Sequence, residues 1–334
     1  MNHEKSLDAK RIFILLTASL ASIALVLAMG RPSRGALIAP LNSPQALNDP
    51  QAVNGTFAVG VSGTNVVGGY YSGTVANHGF IYNGSSFTPL DFPGSTTTTT
   101  SGISGNNIVG FYTDPASQTH GFLFNGSSWK SLDDPSGNYT VATGVSGNDI
   151  VGYFVGGSVI HGFHYDGTSW TSLDDPTPGA QLTVAYGISG SDIVGYFLEG
   201  GHVHGFEYDG SSFSTLDFPG SSSTAAYGVS GGNIVGDYQD SSGVYHGFLY
   251  DGTNWFTLNV PFPGTADTQA YGISGNMVVG EYIDSSLVNH GFVAQLSSVP
   301  EPSSIVLLIL GGVALGLGAW FTRGRWRVRA GRPS

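Results

Sequence analysis

The chain of 334 residues contains no cysteine. Disulfide frameworks, thiolate metal sites and cysteine nucleophiles are therefore excluded. Positive charge is almost absent from the middle of the chain. Residues 35–300 hold 20 Asp and Glu but one basic residue, Lys130. Phosphate backbones are gripped by Arg and Lys, so this stretch is no nucleic-acid binder. Such an acidic balance points instead to a solubilised outer surface or to contacts with divalent cations. Signatures of common enzyme sites are also missing: there is no nucleophile elbow, phosphate-binding loop or zincin helix. Gly-x-Gly patterns do occur, but with 51 glycines they arise by chance.

What the chain does have is a period. His-Gly-Phe occurs six times, beginning at His78, His120, His161, His204, His246 and His290, in steps of 42, 41, 43, 42 and 44 residues. Such spacing means one supersecondary unit built six times. Each unit opens with Gly-Ile/Val-Ser-Gly, at Gly60, Gly102, Gly144, Gly187, Gly228 and Gly272. An Ile/Val-Val-Gly run follows, then a variable loop, His-Gly-Phe, a turn, Trp or Phe, and a Leu-Asp-x-Pro end. Asn83-Gly84, Asn125-Gly126, Asp166-Gly167, Asp209-Gly210 and Asp251-Gly252 lie between aromatic-rich segments, which predicts type I′ hairpins. The sequons at Asn83 and Asn125 fall in these turns and are better read as turn chemistry than as glycan acceptors. Glycine after Ile/Val-Val marks a bulge or a close backbone approach. Proline after the last strand ends pairing there.

Four short strands per unit of about 42 residues is the pattern of a propeller blade. The ends complement each other. Leu47-Asn48-Asp49-Pro50 before Gly60 matches Leu132-Asp133-Asp134-Pro135 before Gly144, so the N-terminal side carries an orphan fourth strand. The sixth unit lacks its own fourth strand. These features predict an all-β, six-bladed β-propeller over residues 41–296, closed by the N-terminal strand and flanked by a signal helix and a C-terminal transmembrane helix. Closure removes exposed sheet edges. The alternative is an open β-rich array, which would need polar caps that are not evident. The repeat resembles the extracellular HAF-repeat family, with His-Gly-Phe for His-Ala-Phe and Ser for Asn in Gly-Ile-Asn. That resemblance implies an exported repeat protein and carries over no catalytic residue.

Both ends carry apolar runs. Lys5, Lys10 and Arg11 precede the run over residues 12–29, the form of a signal peptide or, uncleaved, of a signal anchor within residues 1–34. At the other end, Val299-Pro300-Glu301-Pro302-Ser303-Ser304 precedes an apolar run over residues 305–321, then Arg323, Arg325, Arg327, Arg329 and Arg332. Seventeen helical residues span about 25 Å, enough to cross a bilayer, and the arginines would stay cytoplasmic. A Pro-Glu-Pro box, a short apolar helix and an Arg cluster over residues 299–334 resemble the PEP-CTERM sorting signal. The resemblance implies recognition of Pro300, Glu301 and Pro302 by an exosortase-type membrane protease. It also implies a transient inner-membrane anchor, and delivery to the cell envelope or extracellular matrix.

Candidate chemistry is sparse. A histidine repeated in every blade reads as scaffold rather than as a metal ring. His202 and His204 share one strand face, a weak zinc signal without a placed carboxylate. Loops after the second and fourth strands should emerge together. They carry Asp114, Glu199, Asp240 and Asp284, with the pairs Asp133-Asp134 and Asp174-Asp175. These acids are candidates for Ca²⁺, or for a sugar bridged by Ca²⁺, against the reading of a solvated rim. The expected function is a non-enzymatic exported repeat protein binding a glycan or a protein through one propeller face. The alternatives are a polysaccharide lyase or glycosidase, which needs an acid pair at one asymmetric place, or a purely structural matrix component.

Overall fold

The computed structural model describes residues 37–38, 41–73 and 77–296, all strand, turn or loop. The proposed signal segment and the whole sorting signal, with Pro300, Glu301, Pro302, Arg323, Arg325 and Arg327, lie outside the described residues. Six antiparallel sheets follow one another along the chain. The first blade is typical, with Thr56–Ser62, Asn65–Tyr71, Asn77–Tyr82 and Phe87–Pro89 paired in sequence order. The innermost strands of the other five are Thr97–Ser104, Thr140–Ser146, Ala180–Ser189, Ser223–Ser230 and Thr265–Ser274. The fifth blade carries an extra edge strand, Leu37–Ile38, parallel to Trp255–Leu258.

The sixth blade is completed from the other end of the chain. Leu41–Leu47 runs antiparallel to Asn289–Leu296, with Leu41 opposite Leu296 and Leu47 opposite Gly291. The orphan strand thus takes the outer position, and His290 Nδ1 pairs with Asn48 Oδ1 at 3.0 Å across 242 residues.

Each inner strand has a bulge just before its Gly-Ile/Val-Ser-Gly glycine. The bulge turns that glycine towards the axis, where adjacent inner strands nearly touch. A methyl on Gly144 would lie 2.5 Å from the Tyr186 carbonyl oxygen, and one on Gly272 would lie 2.5 Å from the Val59 carbonyl oxygen and 3.3 Å from the Gly60 Cα. The same crowding repeats from blade to blade, so six glycines close the ring. The glycine of the second strand is also a close-approach position. A methyl there would strike the inner-strand carbonyl, as at Gly152 against Val141. The bulge anticipated at this glycine lies instead in the strand opposite.

The tripeptide divides its labour. Its phenylalanines, Phe80, Phe122, Phe163, Phe206, Phe248 and Phe292, are all fully buried. They sit in clusters that join neighbouring blades, as Val109 of the second blade does with Ala142, Ile150 and Phe163 of the third. Burying such a ring contributes roughly 1.5–3 kcal/mol.

The hairpin turns differ from expectation in one respect. A type I′ turn needs positive φ at both central residues. Here only the glycine has it, as at Gly84 (φ 93°). The preceding side chain does the rest: Asn83 Oδ1 accepts from the Ser85 and Ser86 amides at 3.0 and 2.9 Å, and Asp166 Oδ1 accepts from Thr168 and Ser169 in the same way. The Asx side chain, rather than a left-handed Asx backbone, shapes the loop.

The axial crowding gives a test within one blade. Gly144→Ala should lower stability by about 2–3 kcal/mol through overpacking against backbone. Gly147→Ala, at an open turn position with φ 62°, should cost about 1 kcal/mol from conformation alone. Urea unfolding of both variants would check the ranking, and equal losses would contradict an axial steric constraint.

Candidate functional site

Antiparallel alternation puts the loops after the second and fourth strands of every blade on one face, here the loop face. The tight turns after the first and third strands form the opposite, turn face. At the loop face each repeat histidine is held by the residue following Leu at the end of the fourth strand. His78 pairs with Asp91, His120 with Asp133, His161 with Asp174 and His204 with Asp217, at 2.7–3.0 Å. Asparagines take that place for His246 and His290. Each ring also lies against a second-strand aromatic, such as Tyr70, Phe154 or Tyr282. The histidines tie strand three to the strand end outside it.

The eight acidic candidates are dispersed. Asp114, Asp240 and Asp284 accept from amides of their own loops, those of Gln118, of Ser242 and Val244, and of Ser286 and Val288. Backbone bonds to Gln118 and Val288 lead in holding Asp114 and Asp284 below the usual carboxylate range, whereas the Ser242 hydroxyl leads at Asp240. Asp133 and Asp174 serve histidines. Asp134 and Asp175 point inward, which corrects their reading as rim ligands. Both are buried, and their Oδ1 atoms accept from the Ser136 and Thr177 amides at 2.8 and 2.9 Å. Glu199 pairs opposite Ala180 and His202 at a strand end. Among the described residues, no group of three or more His, Asp or Glu side chains is placed to hold a metal ion.

Between the fourth and fifth blades the loop face opens into a cleft of about 360 Å³. His202, His204 and Asp217 line one wall, and Phe218 with Ser221, Ser222 and Ser223 the other. His202 and His204 do share a face, but His204 is bound to Asp217 (3.0 Å) and stacked on Phe197. The cleft therefore offers hydroxyls, imidazoles and one carboxylate.

A second constellation escaped the sequence reading. The bulge residues facing the axis are Val59, Ser101, Thr143, Tyr186, Tyr227 and Tyr271, so three tyrosines stand on one side only. The residue after the second-strand glycine is Gly69, Phe111, Tyr153 or Tyr196 in the first four blades, but Asp237 and Glu281 in the last two. Both acids are buried. Gln269 Nε2 donates to Asp237 Oδ2 at 2.6 Å, with the Tyr227 hydroxyl at 3.4 Å. Tyr271 Oη lies 2.8 Å from both Gln269 Oε1 and Glu281 Oε1, and Asn289 donates to Glu281 Oε2.

The hydrogen bonds of that network call for one carboxylate proton. A phenol has one proton to give, yet Tyr271 faces two acceptors. With the Gln269 amide nitrogen on Asp237, Glu281 must be protonated to donate to Tyr271. With the amide turned over, Tyr271 donates to Glu281, and Asp237 must carry the proton. Either way the two carboxylates share one proton, leaving the cluster one net negative charge. Burial agrees, pushing the Asp237 carboxyl up to about 7 and Glu281 upward as well. Register-by-register comparison of the repeats at these two positions is the signal that would have found the cluster.

No protein-family model matches the chain, and no curated protein matches it. Among solved structures it is similar to the SapL1 lectin in complex with α-methyl fucoside, at 15% identity and a TM-score of 0.48, over 75% of this chain and 98% of that one. It is also similar to the fucose-specific lectin of Aleuria aurantia, described as a six-bladed β-propeller, at 16% identity and a TM-score of 0.40, over 66% and 78%. A third is the β-propeller domain of the trilobed protease of Pyrococcus furiosus, at 9% identity and a TM-score of 0.42, over 74% and 99%. These likenesses concern the architecture alone, and the six blades rest on the strand pairing described above.

The acid cluster generates a pH dependence. Burial pushes the Asp237 carboxyl from the usual 3.8 of an exposed aspartate up to about 7 in the folded chain. Between those values the folded state binds the extra proton, so stability should fall as pH rises from about 4 to 7 and then level off. At about 1.4 kcal/mol per unit the contribution is at most about 4 kcal/mol. Asp237→Asn should flatten that decline in urea unfolding at pH 4.5 and 8, and an unchanged gradient would show that Asp237 is not its source.

Proposed function

We propose that this chain is an exported, non-enzymatic propeller of the cell envelope or exopolysaccharide matrix, binding a glycan at the cleft between its fourth and fifth blades. The cleft carries the reading. Its lining brings together the polar side chains of His202, His204, Asp217 and Ser221–Ser223 beside Phe218. That mixture suits the hydroxyls of a sugar, and its volume of about 360 Å³ falls within the range of small-ligand sites. The cleft's lining has no Lys or Arg, which favours a neutral glycan over a sulfated or uronic one. One carboxylate lines it, whereas carboxylate hydrolysis needs two flanking the bond. The asymmetric acid pair, Asp237 and Glu281, lies elsewhere, buried at the axis.

Export belongs to the same proposal. The Pro-Glu-Pro box with its apolar run and arginines would bring the chain to an exosortase-type protease, which would remove the tail. A display or matrix role follows for the propeller.

Two measurements test this reading. On a glycan array the protein should bind a neutral glycan, and His202→Ala and Asp217→Asn should weaken that binding about tenfold or more at unchanged melting temperature. Absence of binding to any glycan would favour a structural matrix role. Mass spectrometry of protein from its native envelope should find a chain lacking the arginine-rich tail, and a chain ending at Ser334 would contradict processing.

A further inference from the structure

The axis holds a cavity that the glycan cleft does not use. It runs from the six bulge residues, past the glycine ring, to a collar of Val61, Ile103, Val145, Ile188, Val229 and Ile273. The collar side chains keep 6–9% of their surface open, whereas Val66, Val67 and Val109 keep 0–1%. At about 70 Å³, the cavity has room for a handful of waters and excludes a sugar ring.

Its walls are graded. The collar is wholly aliphatic. Below it, Tyr186, Tyr227 and Tyr271 stand edge-to-face, with ring centroids 4.8 and 5.1 Å apart, facing Ser101, Thr143 and Val59. All three tyrosines remain partly exposed to the cavity although deep in the ring. Behind them lies the Asp237–Gln269–Tyr271–Glu281 network with its single net negative charge. Asp237 Oδ1 receives no hydrogen bond among the described residues, while Oδ2 takes both of those that the side chain accepts.

We propose that this axial cavity binds a small alkylammonium ion, the methylenes against the aliphatic collar and the cationic head against the three tyrosine rings. Each part of the ligand answers a part of the wall. Tyrosine faces attract a desolvated cation, with the carboxylates behind them adding to the negative potential. A single positive charge balances the cluster, whereas a divalent ion would overshoot it and would find no oxygen cage. Among the described residues, no Lys or Arg lines the cavity. Lys130, the sole Lys or Arg in residues 35–300, donates to Tyr165 of the third blade. The titratable groups facing Asp237 are Glu281, Asp267, Tyr227, Tyr186, Tyr271 and Tyr196. None of them is basic. Protonating the second carboxylate cancels the cluster's charge, so occupancy should weaken at acid pH.

The test uses the full chain and n-butylammonium chloride as probe, with n-butanol as the neutral isostere and potassium chloride at equal ionic strength. At pH 6, below the Asp237 value, where the cluster holds its one proton, the amine should raise the melting temperature in a saturable way, and neither control should. The midpoint of that response should move at least tenfold to higher amine concentration in the Asp237→Asn, Glu281→Gln double variant, which removes the cluster's charge. Tyr227→Leu, which leaves both carboxylates in place, should also move it about tenfold. Tyrosine fluorescence titration supplies a second readout at fixed temperature, should a variant melt too early to compare. An equal rise with butanol would reduce the cavity to an apolar slot, and an equal rise with potassium would remove the alkyl requirement. Either result overturns the proposal, as does the absence of any saturable response to the amine.

Discussion

The close approach of six inner strands around one axis governs the rest of this molecule. Glycine alone lets one strand's backbone rest against the next at this distance, and the bulge before each glycine turns it inward. Six such contacts set the blade number and the tilt between blades. They also decide which residues meet: the bulged residue must face the axis, and the second strand of one blade must lie beside the inner strand of the next. The phenylalanine clusters then fill the wedges between blades. With interiors packed to crystal density, the ring tolerates little change in its central spacing.

Within that symmetry, chemistry can live only where the repeats disagree. The histidines that mark the period are bound, blade after blade, to an Asp or Asn at the end of the neighbouring strand, and their rings are stacked. By contrast, the three tyrosines and two acids at the axis occupy positions that other blades fill with small or aromatic residues. The cleft between blades four and five is likewise a local departure, made where His202 adds a second imidazole beside the repeated one.

Most of the architecture was legible because it is local and repeated. Strand order within a blade, the hairpins and the complementary ends follow from spacing, turn residues and the displaced Leu-Asn-Asp-Pro segment. The misread features have physical causes. Asn-Gly suggests a left-handed Asx backbone, but a side-chain oxygen that caps two amides leaves only the glycine left-handed. Asp134 and Asp175 look like loop acids, yet they occupy the place that Phe92 and Phe218 fill elsewhere, a position turned inward. Asp237, Gln269, Tyr271 and Glu281 come together only because blade five meets blade six. No hydrophobic period along either strand records that meeting.

The closing strand has a mechanical consequence. Leu41 pairs with Leu296 at the end of the Leu41–Leu47 and Asn289–Leu296 ladder, so residues 41 and 296 lie side by side at one end of the closing pair. Tension drawing residues 41 and 296 apart would therefore meet the ladder's bonds one at a time, as in a zipper, instead of sharing the force among them all as in shear. Closure of the sixth blade thus rests on one seam, between Leu41–Leu47 and Asn289–Leu296. Without tension between residues 41 and 296 the seam stays slack, whereas a pull on that pair would peel it open first.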